Sequence, residues 1–345
     1  MKTKIYLLVL ATILGFGQLN ATIITVDNNM VVSGSPGQYS DLQAACTAAF
    51  AGDTILVVGS PNSYGSAQIT KKLILLGPGL NPQRPNTKTA TISGITISNG
   101  ASNSIISGFS VWTVGFGNSL VVQNVTISKN NIFSLYFTNI STGILVFNNL
   151  ITGEIKVNSA TNVIISNNII KCSYICDSNN TSVSIKNNLF IDCSQVGAFV
   201  RIAYAEISNN IILEKTFPIP QGSTVENCTF NNNLTYNCLP NSTIPFGTNV
   251  GSGNKINQDP VFLRVEGGFS FANNYGLHST SPCKNAGTDG TDIGPSGGSY
   301  PLTNVFPITG HPTIPYISQM QINGASSVPV GNSKINITVK AKKQN

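Results

Sequence analysis

A lysine, two glutamates and a serine occupy neighbouring outward positions in three successive sequence repeats. These candidate substrate-binding residues are Lys186, Glu206, Ser208 and Glu226. If the repeats stack at the spacing of β-strands, the Cα atoms of Glu206 and Glu226 lie about 8 Å apart. Two carboxyl groups at such a distance suit glycoside hydrolysis, and a lysine beside them suits proton abstraction in a lyase reaction. The alternative is a solvated face held by ion pairs.

A second acidic pair, Asp192 and Glu214, follows the turn residues of two successive repeats at the same interval. Carboxylates stacked in this way raise the pKa of one partner or attract a cation, and Ca²⁺ is the ion that such oxygen ligands favour. Ordinary solvated loop charges are the alternative. We therefore count both residues among the candidate substrate-binding residues, and expect no cofactor unless the pair takes up Ca²⁺.

The sequence supplies no recognisable catalytic set. His278 and His311 lie in ordinary loop contexts, so no Ser-His-Asp triad can be assigned. Cys172 and Cys176 have no second Cys or His pair at zinc-binding spacing. We therefore assign no catalytic residue and no metal site.

The elements that would position these residues come from an internal repeat. A large aliphatic residue stands two places before a Gly or Asn, and the repeat averages about 19 residues. The turn column is Gly59, Gly77, Gly94, Gly108, Asn124, Asn148, Asn167, Asn187, Asn209 and Asn227.

Alternating apolar residues indicate strands with one buried face, and Gly and Asn enter left-handed turns at low cost. A repeat of this length suits one coil of a parallel β-solenoid, in which each coil lies about 4.8 Å from the next. We therefore predict about ten or more rungs forming a rod roughly 45 Å long, with Asn side chains of the turn column hydrogen-bonded in a ladder. A β-sandwich with chance Asn-Asn turns is the alternative.

An apolar stripe is expected on the outside of the rod. It includes Leu56, Ile74, Ile105, Val121, Leu145 and Ile164. Such a stripe is large for open water, so either another segment such as the C-terminal tail covers it or it binds a partner.

The composition excludes several classes of protein. Charged residues make up 9% of the chain and hydrophobic residues 41%, with a formal net charge of +6. The low charge and the scarcity of aromatic residues among basic ones give no support to nucleic-acid binding. Residues 1–21 have the pattern of a secretory signal peptide, with Lys2 and Lys4 before an apolar run too short to span a bilayer. We expect a secreted monomer that is extracellular or at the cell surface, with the periplasm as an alternative.

Seven cysteines leave one unpaired if the others form disulfides. Cys172 and Cys193 fall at similar places in adjacent repeats and could lie near bonding distance. The alternative is that both are small buried residues in a stack.

The chain is expected to divide into three parts. After residues 1–21, a β-solenoid occupies residues 22–300, with a capping helix near residues 40–50. Residues 287–294 are expected to close the solenoid. Residues 301–345 form a tail punctuated by proline, with two short strands at 317–322 and 334–340.

Several segments carry a resemblance to a known family. "YSDLQAACTAAFAGDTILVV", "SYGSAQITKKLILLGPG", "INQDPVFL" and "HSTSPCKNAGTDGTDIG" resemble secreted bacterial right-handed parallel β-helix proteins of the pectin-lyase-like fold. The resemblance covers about residues 39–298 and implies a fold but no activity, because this fold carries many functions. No paired-Asp motif and no Gly-His-Gly is present, so no catalytic residue is carried over from the family.

Two hypotheses about function follow. The first is a non-catalytic secreted or surface β-helix that binds a polysaccharide or a surface protein. The second is a polysaccharide lyase or glycoside hydrolase that uses Lys186, Glu206 and Glu226. The low charge and the missing catalytic sets favour the first.

Overall fold

A computed structural model of the protein describes residues 21–29, 37–81, 88–117, 121–138, 141–158, 160–171, 174–176, 182–192, 197–214, 224–238, 243–302, 316–323 and 336–342. The predicted signal peptide lies almost entirely outside these residues, as do Cys172 and Cys193. The existence of the signal peptide and the state of these two cysteines therefore stay predictions.

Two long parallel sheets form the body of the protein. Sheet A has eleven strands. They are β1 (Ile23–Val26), β2 (Gln38–Tyr39), β3 (Thr54–Val57), β5 (Ile74–Leu76), β7 (Ile105–Ser107), β10 (Thr126–Ser128), β13 (Leu145–Phe147), β16 (Val163–Ser166), β19 (Val183–Lys186), β23 (Glu206–Ser208) and β26 (Thr229–Asn231).

Sheet B has twelve strands and follows sheet A around each coil. They are β4 (Ser66–Ile69), β6 (Thr91–Ile97), β8 (Ser110–Phe116), β11 (Asn131–Tyr136), β14 (Leu150–Ile151), β15 (Glu154–Lys156), β17 (Ile169–Lys171), β18 (Tyr174–Cys176), β20 (Leu189–Ile191), β21 (Phe199–Val200), β24 (Ile211–Leu213) and β27 (Leu234–Tyr236).

Four smaller pairs and one helix complete the described elements. The parallel pairs are β9 (Val122–Gln123) with β12 (Ser141–Thr142), and β22 (Ile202–Ala203) with β25 (Val225–Glu226); the antiparallel pairs are β28 (Phe262–Arg264) with β29 (Asn274–Leu277), and β30 (Tyr316–Asn323) with β31 (Asn336–Lys342). The helix α1 spans Leu42–Ala48. The last two strands lie in the tail, close to the bounds expected from the sequence.

The predicted parallel β-solenoid is confirmed. Successive strands of sheet A pair in parallel so that each inward aliphatic lies over its counterpart in the next coil, as Ile127, Val146, Ile165, Ile185 and Ile207 do. All five are fully buried. The regular part has about seven turns, somewhat fewer than the ten expected. One reason is that Gly94 lies in sheet B of the coil that already contains Gly77 and does not begin a new coil.

The predicted turn column is correct at Gly77, at Gly108 and at four asparagines, and wrong at Gly59, Gly94, Asn124 and Asn227. Asn148, Asn167, Asn187 and Asn209 follow their sheet A strands in the same register, each with a φ between 53° and 58°. Asn124 and Asn227 are not in this column, because each belongs to an earlier bend of its own coil. Lys129 and Asn232 occupy the column instead, with φ of 55° and 51°.

The buried asparagine ladder is formed by the residue that follows the turn residue of each coil. Its rungs are Asn130, Asn149, Asn168, Asn188, Asn210, Asn233 and Asn254. In each rung after Asn130, the side-chain oxygen accepts hydrogen bonds from the backbone N–H and the side-chain amide of the preceding rung, at 2.9–3.1 Å between Asn130 and Asn149. The first six are nearly or fully buried, so the ladder supplies partners for polar groups that water cannot reach.

Helix α1 lies at the N-terminal end of the rod, as the sequence predicts. Asp41 caps it by accepting a hydrogen bond from the backbone N–H of Ala44. Its apolar side buries Leu42, Ala45 and Cys46 against the first coils. The helix therefore covers the end of the core that no further coil would cover.

Next to the cap, the carboxylate of Asp53 ties two chain segments together. It is 2% exposed and accepts backbone hydrogen bonds from Thr22 at 2.7 Å and Phe50 at 2.8 Å. Burial acts to raise its pKa, but these hydrogen bonds outweigh burial and hold the pKa below its ordinary value of 3.8.

Replacing Asp53 with asparagine is expected to lower the free energy of unfolding by about 2 kcal/mol at neutral pH, because an amide group would face a backbone N–H. A lowered pKa stabilises the fold above the pKa of the unfolded chain, and this contribution disappears as the pH falls through the folded pKa. Urea unfolding of both proteins across a pH series measures the effect. A difference that stays constant below pH 3.8 would contradict the assignment.

A long C-terminal segment, residues 259–302, lies along the outside of the solenoid and is called the strap here. It does not close the end of the rod, so the expectation for residues 287–294 is wrong. The turn asparagines hold it: Asn232 donates to the Ala286 carbonyl at 2.8 Å, and Asn167 donates to the Gly297 carbonyl at 2.7 Å. Between them, Asn187 donates to the Asp292 carbonyl at 3.1 Å. The strap thus runs along the rod from the last coils toward the earlier ones, opposite to the order in which the chain forms the coils.

The strap buries an outward apolar column on sheet B. This column is Leu150, Ile169, Leu189, Ile211 and Leu234, and it forms a second hydrophobic cluster with Tyr275, Leu277, Cys283, Ile293 and Leu302 of the strap. Tyr300 also stacks on Phe147 of sheet A with ring centroids 4.4 Å apart. The predicted stripe on sheet A differs from this column. It is partly open, since Ile74, Ile105 and Leu145 are half-buried and Ile164 is 38% exposed.

Candidate functional site

Three of the four residues of the first predicted patch lie together on the outer face of sheet A. Lys186 is opposite Ser208 in the register, and its Nζ is 3.0 Å from Oε2 of Glu206. The same oxygen accepts a hydrogen bond from Ser184 at 3.0 Å. Oε1 of Glu206 accepts a weaker one from Ser208 at 3.4 Å. The charges in this patch are therefore already paired within the chain.

Glu206 is held in its ionised form. Partial burial acts to raise its pKa, but hydrogen bonds from Lys186 and Ser184 outweigh burial and lower the pKa. A carboxyl group with a lowered pKa suits an ion pair or a base and is a poor proton donor at neutral pH.

The fourth residue, Glu226, does not face Glu206. In the register, Glu206 is opposite Thr229, whereas Glu226 is opposite Ala203 in the small sheet formed by β22 and β25. The expected stacking of the two carboxylates on adjacent rungs is wrong, because the turn residue that sets the register there is Asn232 and not Asn227. The structure therefore does not form the two-carboxylate arrangement at this place.

Asp192 and Glu214 lie in successive coils, as expected, and both have positive φ. They line a cleft of about 390 Å³ at the edge of the strap, together with Asp259. The Asp192 carboxylate accepts the backbone N–H of Phe269 and lies 4.0 Å from Nζ of Lys171. A side-chain carbon on Gly268 would be 2.9 Å from Asp192 Oδ2, so a larger residue there would push the carboxylate aside. Asp192 thus anchors the strap.

Metal coordination finds no geometric support in the part of the chain that the structure describes. Within it, no three His, Cys, Asp or Glu side chains come together as ligands for an ion. Cys46, Cys228 and Cys283 are free thiols there.

A groove on sheet B has the features of a binding site that the sequence analysis missed. It has a volume of about 520 Å³ and runs along three successive coils, between two columns of outward side chains. One wall consists of Thr91, Ser110 and Asn131 from strands β6, β8 and β11, and the opposite wall of Ser93, Trp112, Phe133 and Thr152.

The aromatic wall is a stacked and exposed pair. The rings of Trp112 and Phe133 lie with centroids 4.1 Å apart and an interplanar angle of 13°. Trp112 is 62% exposed and Phe133 is 40% exposed. Phe133 occupies the position equivalent to Trp112 in the next coil, and Ser93 occupies it in the preceding coil. The other face of the indole therefore lies toward a small serine, which leaves room for a ring-shaped ligand.

The polar wall offers hydrogen-bonding groups that the chain leaves unused. The side chains of Thr91, Ser110 and Asn131 have no hydrogen-bond partner within the described residues, and the same holds for Thr152 on the aromatic wall. Ser63 extends the polar wall, and its hydroxyl lies 3.4 Å from that of Ser93. Hydroxyl and amide groups facing an aromatic surface can bind a ligand that has both polar edges and apolar faces.

A signal for this groove is present in the sequence. Trp112 is the only tryptophan in the chain, and it stands at an outward position of an alternating strand. Phe133 stands at the equivalent place one coil later, but this becomes apparent only when Lys129, and not Asn124, is taken as the turn residue. The wrong register concealed the pair.

The fold and the groove define a class of protein: a parallel β-solenoid with a groove lined by aromatic side chains on one outer face. The sequence matches no protein-family model and no curated protein. None of the described helices is long and apolar enough to cross a membrane.

Proposed function

We propose that the protein is a non-catalytic scaffold, secreted or held at the cell surface, whose groove at Trp112 and Phe133 binds glycans. The observation that carries this proposal is the exposed, stacked aromatic pair facing a wall of unpaired hydroxyl and amide groups. Monomeric proteins rarely expose a tryptophan and a phenylalanine side by side without a use for them.

Sugar rings combine the two chemistries that the groove offers. Their axial C–H groups form an apolar face that packs against the face or edge of an aromatic ring, while their hydroxyl groups point outward in the ring plane. In this groove the hydroxyls would meet Thr91, Ser110 and Asn131. A rigid solenoid holds both walls in place before the ligand arrives, which lowers the entropic cost of binding.

The charged residues expected from the sequence belong to the same proposal as additional contacts. Lys186 and Glu206 would contact the ligand or a surface protein on sheet A, while Asp192, Glu214 and Glu226 would do so elsewhere on the rod. Their ion pairs and exposure make each such contact weak compared with an aromatic one. Ser208 is 1% exposed and would act only through its hydrogen bond to Glu206.

The alternative is a polysaccharide lyase or glycoside hydrolase of the pectin-lyase-like fold. It depends on Lys186 and Glu206, which form an ion pair at 3.0 Å, without a second carboxylate in the expected place. Release of reducing ends from a glycan, lost in Glu206→Gln, would support this alternative over a pure binding function.

Replacing Trp112 with alanine is expected to weaken glycan binding at least tenfold, which corresponds to about 1.4 kcal/mol, because the main apolar contact is removed. The wild-type protein offers a direct measurement, since its single tryptophan lies in the groove and its fluorescence reports on occupancy. Glycans that change this fluorescence are then titrated by calorimetry against the wild-type and Trp112→Ala proteins.

Phe50→Ala is the matched control for this experiment. Phe50 is 67% exposed, similar to Trp112, but it lies beside helix α1 and does not line the groove. The control should bind as the wild type does. If no glycan in a broad array binds, or if Trp112→Ala binds as tightly as Phe50→Ala, the proposal is wrong.

A further inference from the structure

Resting on the proposed function, we infer that the ligand is an uncharged oligosaccharide that lies parallel to the solenoid axis and contacts the groove through about three sugar units. Three observations carry this inference: the absence of charge in the lining, the spacing of its walls and the way in which one end of the groove is closed.

The groove is lined by uncharged residues only. Five of the lining side chains carry a hydroxyl group, one is an asparagine, two are aromatic and two are aliphatic. A carboxylate or sulfate buried against such a wall would lose water and gain no opposite charge. The groove thus disfavours acidic polysaccharides, although the formal net charge of +6 would by itself attract them.

Two basic residues on sheet B, Lys171 and Lys156, are engaged by other groups. Lys171 lies one coil beyond Thr152, at the equivalent strand position. Its Nζ lies 4.0 Å from Asp192 and 5.6 Å from the ring centre of Phe269. Lys156 lies 2.8 Å from Glu154 and over the ring of Tyr136. An acidic ligand would therefore have to break an existing ion pair to gain either of these two lysines as a partner.

The two walls repeat at the strand spacing of about 4.8 Å. On the polar wall, Thr91, Ser110 and Asn131 place one hydrogen-bonding group on each of three coils. A pyranose unit in an extended chain has a length similar to this spacing. A chain along the axis can therefore present one sugar unit to each coil, whereas a chain across the axis would meet only one.

The strap limits the groove at one end. One coil after Thr152, the equivalent position of the aromatic wall is occupied by Lys171, which lies beneath the ring of Phe269. One coil after Asn131, the equivalent position of the polar wall is occupied by Leu150, which is buried beneath the strap. A sugar chain can thus occupy the three open coils but cannot continue along the covered ones.

Titration of tryptophan fluorescence with two oligosaccharide series tests this inference on the full chain. The probes are cello-oligosaccharides and galacturonate oligosaccharides, each from disaccharide to hexasaccharide, in low and in physiological salt. We expect the neutral series to bind, with affinity rising until about three units and then levelling off, and with less than about a twofold change between the two salt conditions. Asn131→Ala should weaken trisaccharide binding about fivefold or more, because one polar contact is lost.

The outcomes separate this inference from the proposed function. Tighter binding of the acidic series, abolished in Trp112→Ala when binding is measured by calorimetry, would overturn the uncharged ligand and leave glycan binding standing. If affinity keeps rising up to the hexasaccharide, the inference that the strap limits the groove to about three sugar units is wrong. No response to either series, together with no binding on a broad glycan array, would overturn both.

Discussion

Replacing Asn168 with alanine is expected to lower the free energy of unfolding by about 3–5 kcal/mol, enough to remove a large part of the stability of an ordinary domain. Asn168 is fully buried in the middle of the ladder. Its backbone φ is not in the left-handed region, so alanine introduces no backbone strain at this position. The expected loss therefore reports on hydrogen bonds and packing alone.

The size of the effect follows from the number of groups that Asn168 satisfies. Its Oδ1 accepts hydrogen bonds from the backbone N–H and from Nδ2 of Asn149, at 2.9 and 3.0 Å. Its Nδ2 donates to the carbonyl groups of Val146 and Ser166, at 3.0 and 2.9 Å. Alanine would remove all four bonds at once. Nδ2 of Asn149 would keep its bonds to the Ile127 and Phe147 carbonyls, but its backbone N–H would lose its partner inside the core, and a buried unsatisfied group costs about 1–3 kcal/mol.

Denaturant unfolding of the wild-type, Asn168→Ala and Asn62→Ala proteins measures this effect. Asn62 is exposed, and its side chain makes no hydrogen bond within the described residues. The control should therefore unfold within about 0.5 kcal/mol of the wild type. If both variants unfold at the same denaturant concentration, the ladder does not stabilise the solenoid.

The ladder also shows how far the sequence could predict this fold. Alternating aliphatic residues and recurrent turn residues were sufficient to predict the solenoid, because each strand must bury one face and the chain must then turn. They could not show which of two adjacent asparagines points inward. Asn167 turns the chain and holds the strap, while Asn168 forms a rung. The two side chains are chemically identical, so only the register and the position of the strap distinguish them.

The register failed where the turn residue was an unusual one. Lys129 adopts a φ of 55°, a conformation that Gly and Asn enter more readily. Asn124 has a φ of 56° but lies at another bend of the same coil. A residue type can indicate a left-handed bend, but it cannot indicate which bend of the coil it makes. That ambiguity misplaced Glu226 and concealed the pairing of Trp112 with Phe133.

The location of the strap could not be predicted from local patterns. The sequence indicated that an outer apolar surface needs a cover, but the covering residues lie far along the chain from the column they bury. Ile211, for example, packs in the same cluster as Ile293. Such contacts depend on how the chain reverses direction after the last coil, and no repeat encodes that reversal.

Replacing Gly294 with alanine is expected to release the strap and to increase tryptic cleavage after Lys284 at least tenfold, which corresponds to about 1.4 kcal/mol of local opening. Gly294 has a φ of +89°, and its N–H donates to the Asn209 carbonyl at 2.7 Å. A side-chain carbon there would be 2.4 Å from Cδ1 of Ile211. Ile211 is fully buried, so it has no free space into which to move.

Gly290→Ala separates this contact from backbone strain. Gly290 lies in the same strap with a φ of +76°, but no atom lies within 4 Å of an added side-chain carbon. Alanine at either position pays the cost of a left-handed conformation, about 1–2 kcal/mol, whereas only Gly294→Ala also collides with the solenoid. Cleavage should therefore be fastest in Gly294→Ala, intermediate in Gly290→Ala and slowest in the wild type. Equal cleavage of the two variants would mean that packing against Ile211 does not hold the strap in place.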